Sequence, residues 1–519
     1  MFIFGRIAHL VSLGRSSFMV SAIKKGFFAE FSRDAARVLP LLALILVGGC
    51  STVGDRIESL DPKLVQEVAS FKPPEPQRWM MPNGLTVIYL RDNELPIVRG
   101  RLMLRGGALW ASEFPTGTTS AMGDTMRSGG AGALSADTLD RELEKLAAGI
   151  SSSFSAEFGS VSFSCLTSDV ERVFALFSDV ALRPRFEGDR LNLWKGQTLE
   201  AIRRRAEDPS TVAGIAFTQL VYGNSAYGRV SRSKDINSIS RAELVRLHKH
   251  LVRPDGAILV LTGSIDQGEV KRLTERHFKD WLPRGSRLPA PPAVNYQPKP
   301  GIYFIKLPFA QSSIKLGQLG VPRFTPDYHA IDVFNEVFGS GGFGSRLMQR
   351  VRTELGLSYG IYGGISPGVV RGTNYIFVQT KAESTGSAID ESIGVLETLQ
   401  SSIPATSELG EKKQAIANSY VFNFGSIDDI AGRMARQELL EYPNDYDNTY
   451  LSKIEAVQPQ QVSEVARNRW NPAELVIVVV GNEAARDALR REQAEPDSRL
   501  HRLALTELGF DEALVGGMR

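Results

Sequence analysis

The sequence predicts an α+β (mixed α/β) protein built from two homologous domains. Three observations predict it. Strand-like and helix-like runs alternate along the chain. The stretch 283–300 holds six prolines and divides the folded region. The segment after that break repeats the pattern before it. Ile236, Ile239, Leu244, Leu247, Pro254, Ile258, Val260 and Gly263 recur, at one constant offset, as Ile454, Val457, Val462, Val465, Pro472, Val476, Val478 and Gly481. Each half thus ends in an apolar-periodic helix, a proline turn, a buried strand and a glycine, in one register without a gap. A chance resemblance between two unrelated helix–strand endings would not keep that register. The expectation is a duplicated domain of roughly 200 residues.

The 519 residues, 43% of them apolar and 23% charged, are enough to bury a large core. A formal net charge of +2, from 60 basic and 58 acidic residues, gives no reason to expect nucleic acid as a partner.

The elements are taken in chain order. Val38 to Gly49 is an uncharged, mostly apolar run preceded by Lys24, Lys25, Arg33 and Arg37. As a helix it spans about 18 Å against ~30 Å of hydrocarbon. It is too short to cross a membrane and fits the core of a signal peptide. It ends in Val47-Gly48-Gly49-Cys50-Ser51, which resembles a bacterial lipobox. That resemblance implies cleavage before Cys50 and lipid on its thiol and new N-terminus. Ser51 stands where an aspartate would retain the protein in the inner membrane. The expected location is therefore the bacterial envelope, lipid-anchored in the outer membrane and facing the periplasm. An ordinary cleaved signal fits the same run. Met1 to Phe18 add nothing to it, which makes Met19 a candidate start.

Residues 51–76 read as a polar tether ending in Lys72-Pro-Pro-Glu-Pro76. A first domain is expected over 77–282, a linker over 283–300, a second domain over 301–493 and a tail over 494–519. Met81-Pro-Asn-Gly84 is a turn signal before a strand from Leu85 to Leu90, and Ile97 to Leu104 is a second strand. Ser135 caps a helix whose Leu139, Leu143 and Leu146 share a face, with Gly149 as the stop. Val161 to Leu166 alternates like a half-buried strand, which places Cys165 in packing as an inert thiol. Helices follow at Val170 to Leu182, Asp189 to Ala206 and Arg241 to Leu251, and Ala257 to Leu261 is a buried strand. The tail over 497–519 carries no clear element signature.

Several of these residues together resemble the insulinase/pitrilysin peptidase family, in its mitochondrial-processing-peptidase-like branch. They are Pro82-Asn-Gly-Leu-Thr-Val87, Arg183-Pro-Arg-Phe186, Phe338-Gly-Ser-Gly-Gly-Phe-Gly-Ser-Arg-Leu347 and Arg352-Thr-Glu-Leu-Gly-Leu-Ser-Tyr359. The resemblance covers about Gln77 to Glu483. It implies two mainly antiparallel sheets packed with helices, forming one half of a clam-shell.

Active members carry His-x-x-Glu-His on a helix, with a distal glutamate as third zinc ligand. The histidines, at i and i+4, share a helix face, and the motif's glutamate acts on zinc-bound water. The corresponding segment here is Gly117-Thr-Thr-Ser-Ala-Met-Gly-Asp-Thr-Met-Arg-Ser-Gly-Gly130. The two histidine positions are Ser120 and Asp124, the glutamate position is Gly123, and the distal position is Ala201, next to Glu200. Glycine and alanine offer no donor atoms and serine is a poor zinc ligand. Of the six histidines, none forms a His-x-x-Glu-His or His-Glu-x-x-His pair. His248 and His250, at i and i+2, point about 200° apart around a helix. No metal is expected in this chain.

Arg352 and Tyr359 match a pair that, in active relatives, reaches the scissile peptide. A guanidinium donates charge-assisted hydrogen bonds to a carbonyl, and a phenol stabilises an oxyanion. Gly339-x-Gly341-x-x-Gly344 also matches a dinucleotide fingerprint, but it follows a helix-like run, Asp332 to Phe338, rather than a strand. No nucleotide is expected.

The resemblance implies a non-catalytic, substrate-binding subunit of a heterodimeric zinc peptidase. Zinc would sit in a homologous partner, peptides would be the substrates, and this chain would supply Arg352 and Tyr359. The alternative is a peptide-binding or scaffold lipoprotein with no peptidase activity. Hydrolysis by another site finds no Gly-x-Ser-x-Gly elbow to support it.

Overall fold

The computed structural model describes residues 74–283 and 287–509. The signal-like run, Cys50, most of the tether and the end of the tail lie outside the described residues.

The first half runs β1 (Gln77–Met80), β2 (Thr86–Arg91), β3 (Ile97–Arg105), α1 (Thr118–Ser128), α2 (Ala136–Lys145), β4 (Gly149–Phe154), β5 (Phe158–Leu166), α3 (Val170–Leu182), α4 (Gly188–Arg203), α5 (Pro209–Tyr222), α6 (Ser233–Ser238), α7 (Arg241–Leu251), β6 (Ile258–Gly263) and α8 (Gln267–Phe278). The second runs β7 (Gly301–Lys306), β8 (Gln311–Leu319), α9 (Tyr328–Asn335), β9 (Gly360–Ser366), β10 (Thr373–Lys381), α10 (Thr385–Ser401), α11 (Thr406–Tyr420), α12 (Ile427–Leu439), α13 (Tyr446–Ala456), α14 (Pro459–Arg469), β11 (Val476–Gly481), α15 (Glu483–Ala494) and β12 (Leu505–Leu508).

Each half contains one six-stranded mixed sheet, ordered β1-β2-β6-β3-β5-β4 in the first and β12-β7-β11-β8-β10-β9 in the second. In both, the last strand of the repeat inserts at the centre: β6 runs parallel to β2 and antiparallel to β3, and β11 runs parallel to β7 and antiparallel to β8. The constant offset read from the sequence carries α7 onto α14 and β6 onto β11, end to end. The sheets differ at one edge. β1 precedes β2 and pairs with it antiparallel, whereas β12 comes from the tail and pairs parallel with β7. Residues 505–508, which have no strand signature of their own, are ordered by the free edge of β7.

Local chemistry accounts for the boundaries. Ser240 accepts from the Glu243 amide while Glu243 accepts from the Ser240 amide, a closed capping box at α7. Asp208 caps α5, with Pro209 in its first turn. The helix capped by Ser135 ends at Lys145, earlier than the Gly149 stop expected from sequence. Ala147 takes the left-handed turn (φ 46°), and Gly149 instead opens the edge strand β4. Cys165 is buried in the first core, and burial pushes its thiol up to about 12.

The rear faces of the two sheets are covered by exchange. Val212, Ala213, Phe217 and Val221 of α5, a first-half helix, pack on Ile305, Val476, Val478 and Val480 of the second sheet. Ile430, Ala431, Ala435 and Leu439 of α12, a second-half helix, pack on Ile88, Leu90, Met103, Ile258 and Val260 of the first. The two helices start at matching positions of the repeat, Pro209 and Ile427, so the crossing is reciprocal. Each buried aliphatic side chain contributes about 1.5–3 kcal/mol. A fragment ending at residue 283 should therefore expose the α12-binding face, bind a hydrophobic dye and aggregate. A soluble monomer with a cooperative thermal transition would show that the halves are independent.

Candidate functional site

Helix α1 presents Ser120 and Asp124 to solvent, one turn apart on the same face. Gly123 is buried against edge strand β4. A Cβ at Gly123 would lie 2.7 Å from the Phe154 amide nitrogen and 3.1 Å from the Ser153 carbonyl carbon. The Ser152 hydroxyl donates to the Gly123 carbonyl at 2.6 Å. The helix therefore lies on the strand with no room for a side chain at this position. A glutamate here would have to displace backbone.

Asp124 has a partner already. The Trp194 indole N–H donates to its carboxylate at 2.8 Å. Trp194 lies on α4 two turns before Ala201 and on the same face. Ala201 is exposed, and the neighbouring Glu200 pairs with Arg203 at 3.2 Å. Sequence reasoning missed Trp194, although its spacing from Ala201 could have found it. A serine, a glycine without space and an aspartate bound to an indole do not fit zinc. Histidines of the folded region are elsewhere. His248 Nε2 contacts the Ala181 carbonyl at 2.9 Å, His277 lies beside Ser178, and His501 contacts the Gln493 carbonyl. Among the described residues no group of three or more His, Cys, Asp or Glu is placed to hold a metal ion.

The second half has a counterpart of this helix. Ser153 pairs with Ser160, and Gly364 with Tyr375, at matching positions of β5 and β10. What lies on Ser153 is Gly123; what lies on Gly364 is Asn335 of α9. The Asn335 side-chain amide both donates to the Ile365 carbonyl (2.9 Å) and accepts from its N–H (2.7 Å). It takes the place of a neighbouring strand at the sheet edge. One turn earlier, at the counterpart of Ser120, Asp332 accepts from the Tyr450 hydroxyl at 3.0 Å. Burial pushes its carboxyl up to about 6. Asp332 is thus bonded to a phenol within the chain.

Two π-helical segments, Glu336–Ser340 and Met348–Glu354, flank the glycine-rich loop after α9. Such segments are frequent at functional sites. Gly339 is required by close approach, since a Cβ there would lie 2.6 Å from the Gly363 amide nitrogen. Buried Lys412 donates to the Gly344 carbonyl at 2.7 Å and anchors the loop.

Arg346, Arg350 and Arg352 follow this loop and differ in their partners. Arg346 forms a bidentate pair with Glu408 (2.9 and 2.7 Å). Arg350 pairs with Glu391 and Glu354. Half-buried Arg352 has no acidic partner among the described residues; its guanidinium lies 4.8 Å above the exposed Phe343 ring. Tyr359, half-exposed, leads into β9, against which the Arg352-bearing segment packs. The two residues thus occupy neighbouring elements.

Known proteins share this two-sheet fold. Residues 238–416 match the family model described as "Peptidase M16 inactive domain". An uncharacterized zinc protease of Mycobacterium tuberculosis is 25% identical over 309 residues, 58% of this chain and 70% of the relative. A non-peptidase homolog of Helicobacter pylori is 22% identical over 403 residues, 76% of this chain and 91% of the relative. Among solved structures, the peptidase M16 inactive domain from Pseudomonas fluorescens aligns with a TM-score of 0.72 and 26% identity, covering 79% of this chain and 98% of that one. A protease from Helicobacter pylori shares the fold, with a TM-score of 0.69 and 16% identity over 79% of this chain and all of that one.

Replacing the three helix positions together (Ser120→His, Gly123→Glu, Asp124→His) should not create a zinc site. The expected outcome is a destabilised protein without stoichiometric zinc by elemental analysis. A folded variant holding one zinc per chain would show that the approach of α1 to β4 is not the obstacle.

Proposed function

The chain belongs to the M16, insulinase/pitrilysin-type, peptidase family, and from that premise we propose that it is the non-catalytic, substrate-binding subunit of a heterodimeric zinc peptidase of the bacterial envelope. The partner is a homologue with an intact His-x-x-Glu-His helix. Arg352 carries the reading. It is half-buried and held ready by an aromatic ring. No carboxylate among the described residues claims it, while Arg346 and Arg350 beside it are both paired. A guanidinium in that state is available to a peptide carbonyl or carboxylate.

In the assembled enzyme a zinc ion held by the partner's histidines would supply the activated water. Arg352 orients the bound peptide through its carbonyl, and the Tyr359 hydroxyl donates to the developing oxyanion. The strand end from Gly360 offers backbone groups against which an extended peptide can lie. Cys50, in its lipobox-like setting, supports anchoring to the outer membrane on the periplasmic side.

The test is reconstitution. The isolated chain should cleave no unfolded peptide, and mixing it with the zinc-bearing homologue should produce cleavage. In the mixture Tyr359→Phe should lower kcat on the order of a hundredfold without loss of thermal stability. Unchanged turnover would remove Tyr359 from the mechanism, and tolerance of Arg352→Ala would favour a scaffold role. For the anchor, Cys50→Ala should move the protein from the membrane to the soluble periplasmic fraction. Continued membrane attachment would refute lipidation at that residue.

A further inference from the structure

The outer strands of each sheet leave part of the rear face beyond the exchanged helix, and the two faces differ in chemistry. In the first half it carries Ser160, Ser162 and Ser164 on β5 and Ser151 on β4, with Ser151 and Ser162 hydroxyls 2.8 Å apart. The matching residues of the second half are Tyr375, Phe377, Gln379 and Tyr362. Here the Tyr362 ring stacks obliquely on Phe377 (5.1 Å) and lies edge-on to Tyr375 (6.2 Å). Tyr362 is 49% exposed. The hydroxyl ladder of one half is replaced in the other by three rings, of which Tyr362 is exposed and Phe377 and Tyr375 are half-buried, Tyr375 against the α5 cluster.

The neighbouring strand carries a cation in both halves. Arg101 lies between Val260 and Ser162; Lys315 lies at the same place, between Val478 and Phe377. Arg101 faces the carboxylate of Asp428 on α12 at 3.9 Å. The position of α5 that matches Asp428 in the repeat register is Ser210, so the acid is absent. The Ser210 hydroxyl instead contacts Ser313 (3.2 Å) and accepts from Gln379 (3.2 Å). The Lys315 ammonium is left 5.1 Å from the Phe217 ring and 5.4 Å from Tyr375, with no hydrogen bond or ion pair among the described residues. Burial lowers its pKa, which is the cost of a cation without a counterion.

The geometry points to a specificity surface on the second sheet that takes peptides carrying a carboxylate beside an aromatic or large apolar side chain. The carboxylate is read by Lys315, and the apolar group by Tyr362, Tyr375 and Phe377. The charge complementarity is specific to this half, since Arg101 faces the Asp428 carboxylate within the chain. The inference rests on the peptide-binding reading above and adds which peptides are preferred.

The experiment uses the purified chain and two fluorescein-labelled unfolded peptides with a Phe-Ala-Glu-Ala-Phe or Phe-Ala-Gln-Ala-Phe centre, flanked by Gly-Ser, in anisotropy titrations. The glutamate peptide should bind about five- to tenfold tighter than its glutamine counterpart. Lys315→Met should bring the two to equal affinity, and Lys315→Arg should keep the preference. Tyr362→Ser with Phe377→Ser should weaken both peptides. The lysine is half-buried and unpaired, so Lys315→Met should keep its melting temperature, and the loss of preference then reads binding alone. Equal binding of the two peptides by the unaltered chain overturns the inference and leaves peptide binding standing. Loss of the preference in Arg352→Ala but not in Lys315→Met assigns the carboxylate to Arg352 and overturns it too. Failure of both peptides to bind overturns this inference and the function it rests on.

Discussion

A six-stranded sheet has two faces to bury, and each half of this chain supplies helices enough for one. The rear apolar rows, Ile88, Leu90, Ile258 and Val260 in the first half and Ile305, Val476, Val478 and Val480 in the second, would face water without the helix that crosses from the other side. At ~25 cal/mol per Å² of apolar surface, that exchange ties the halves together. It also fixes their relation. Ion pairs across the boundary, such as Arg78 with Glu438 (2.5 Å) and Arg323 with Glu157 (3.0 Å), set register at positions already brought close by apolar burial. The candidate site depends on this frame, because β4 and β9 are the strands that the exchange leaves at the sheet edges.

At both edges a helix lies on the strand, and the two halves solve the contact differently. In the first, the helix loses its side chain at Gly123 and the backbones approach closely. In the second, the helix keeps Asn335, whose amide satisfies Ile365 as a strand would. Neither solution leaves room for an acid aimed at a metal. The loss of zinc chemistry is therefore not confined to missing ligands that a few substitutions could restore. It is built into how helix α1 packs. The indole of Trp194 bonded to Asp124 closes the same place from the opposite side.

Much of this was legible in the sequence. The constant offset between the halves requires only that no residue was gained or lost late in either, and it locates α7, α14, β6 and β11. The mapped positions Ser120, Gly123, Asp124 and Ala201 were readable because donor atoms are a property of residue type. The edge strands were not. Gly149–Phe154 and Gly360–Ser366 are rich in glycine and serine and owe their extension to β5 and β10. Strand β12 depends in the same way on the edge of β7. Trp194 gave only a spacing, and Lys315 gave nothing by itself. Its meaning lies in the pairing of Arg101 with Asp428, a relation across halves that emerges only when the exchanged helix is seen on its sheet.

The charges left unpaired are more informative than the pairs. Truncating Arg346 would strand Glu408, half-buried and bound through two hydrogen bonds, so its effect mixes structure with any function. Truncating Arg352 strands no acid and loses only contact with an exposed ring and a thioether. The fold gains little from a guanidinium there; a partly desolvated cation is better tolerated when something outside the chain completes it. The same reasoning holds for Lys315, whose equivalent in the first half is completed from within. Two such cations in the second half, where Arg101 of the first faces Asp428, are the observation behind the proposed ligand-holding role of the second domain, set against the donor-poor helix of the first.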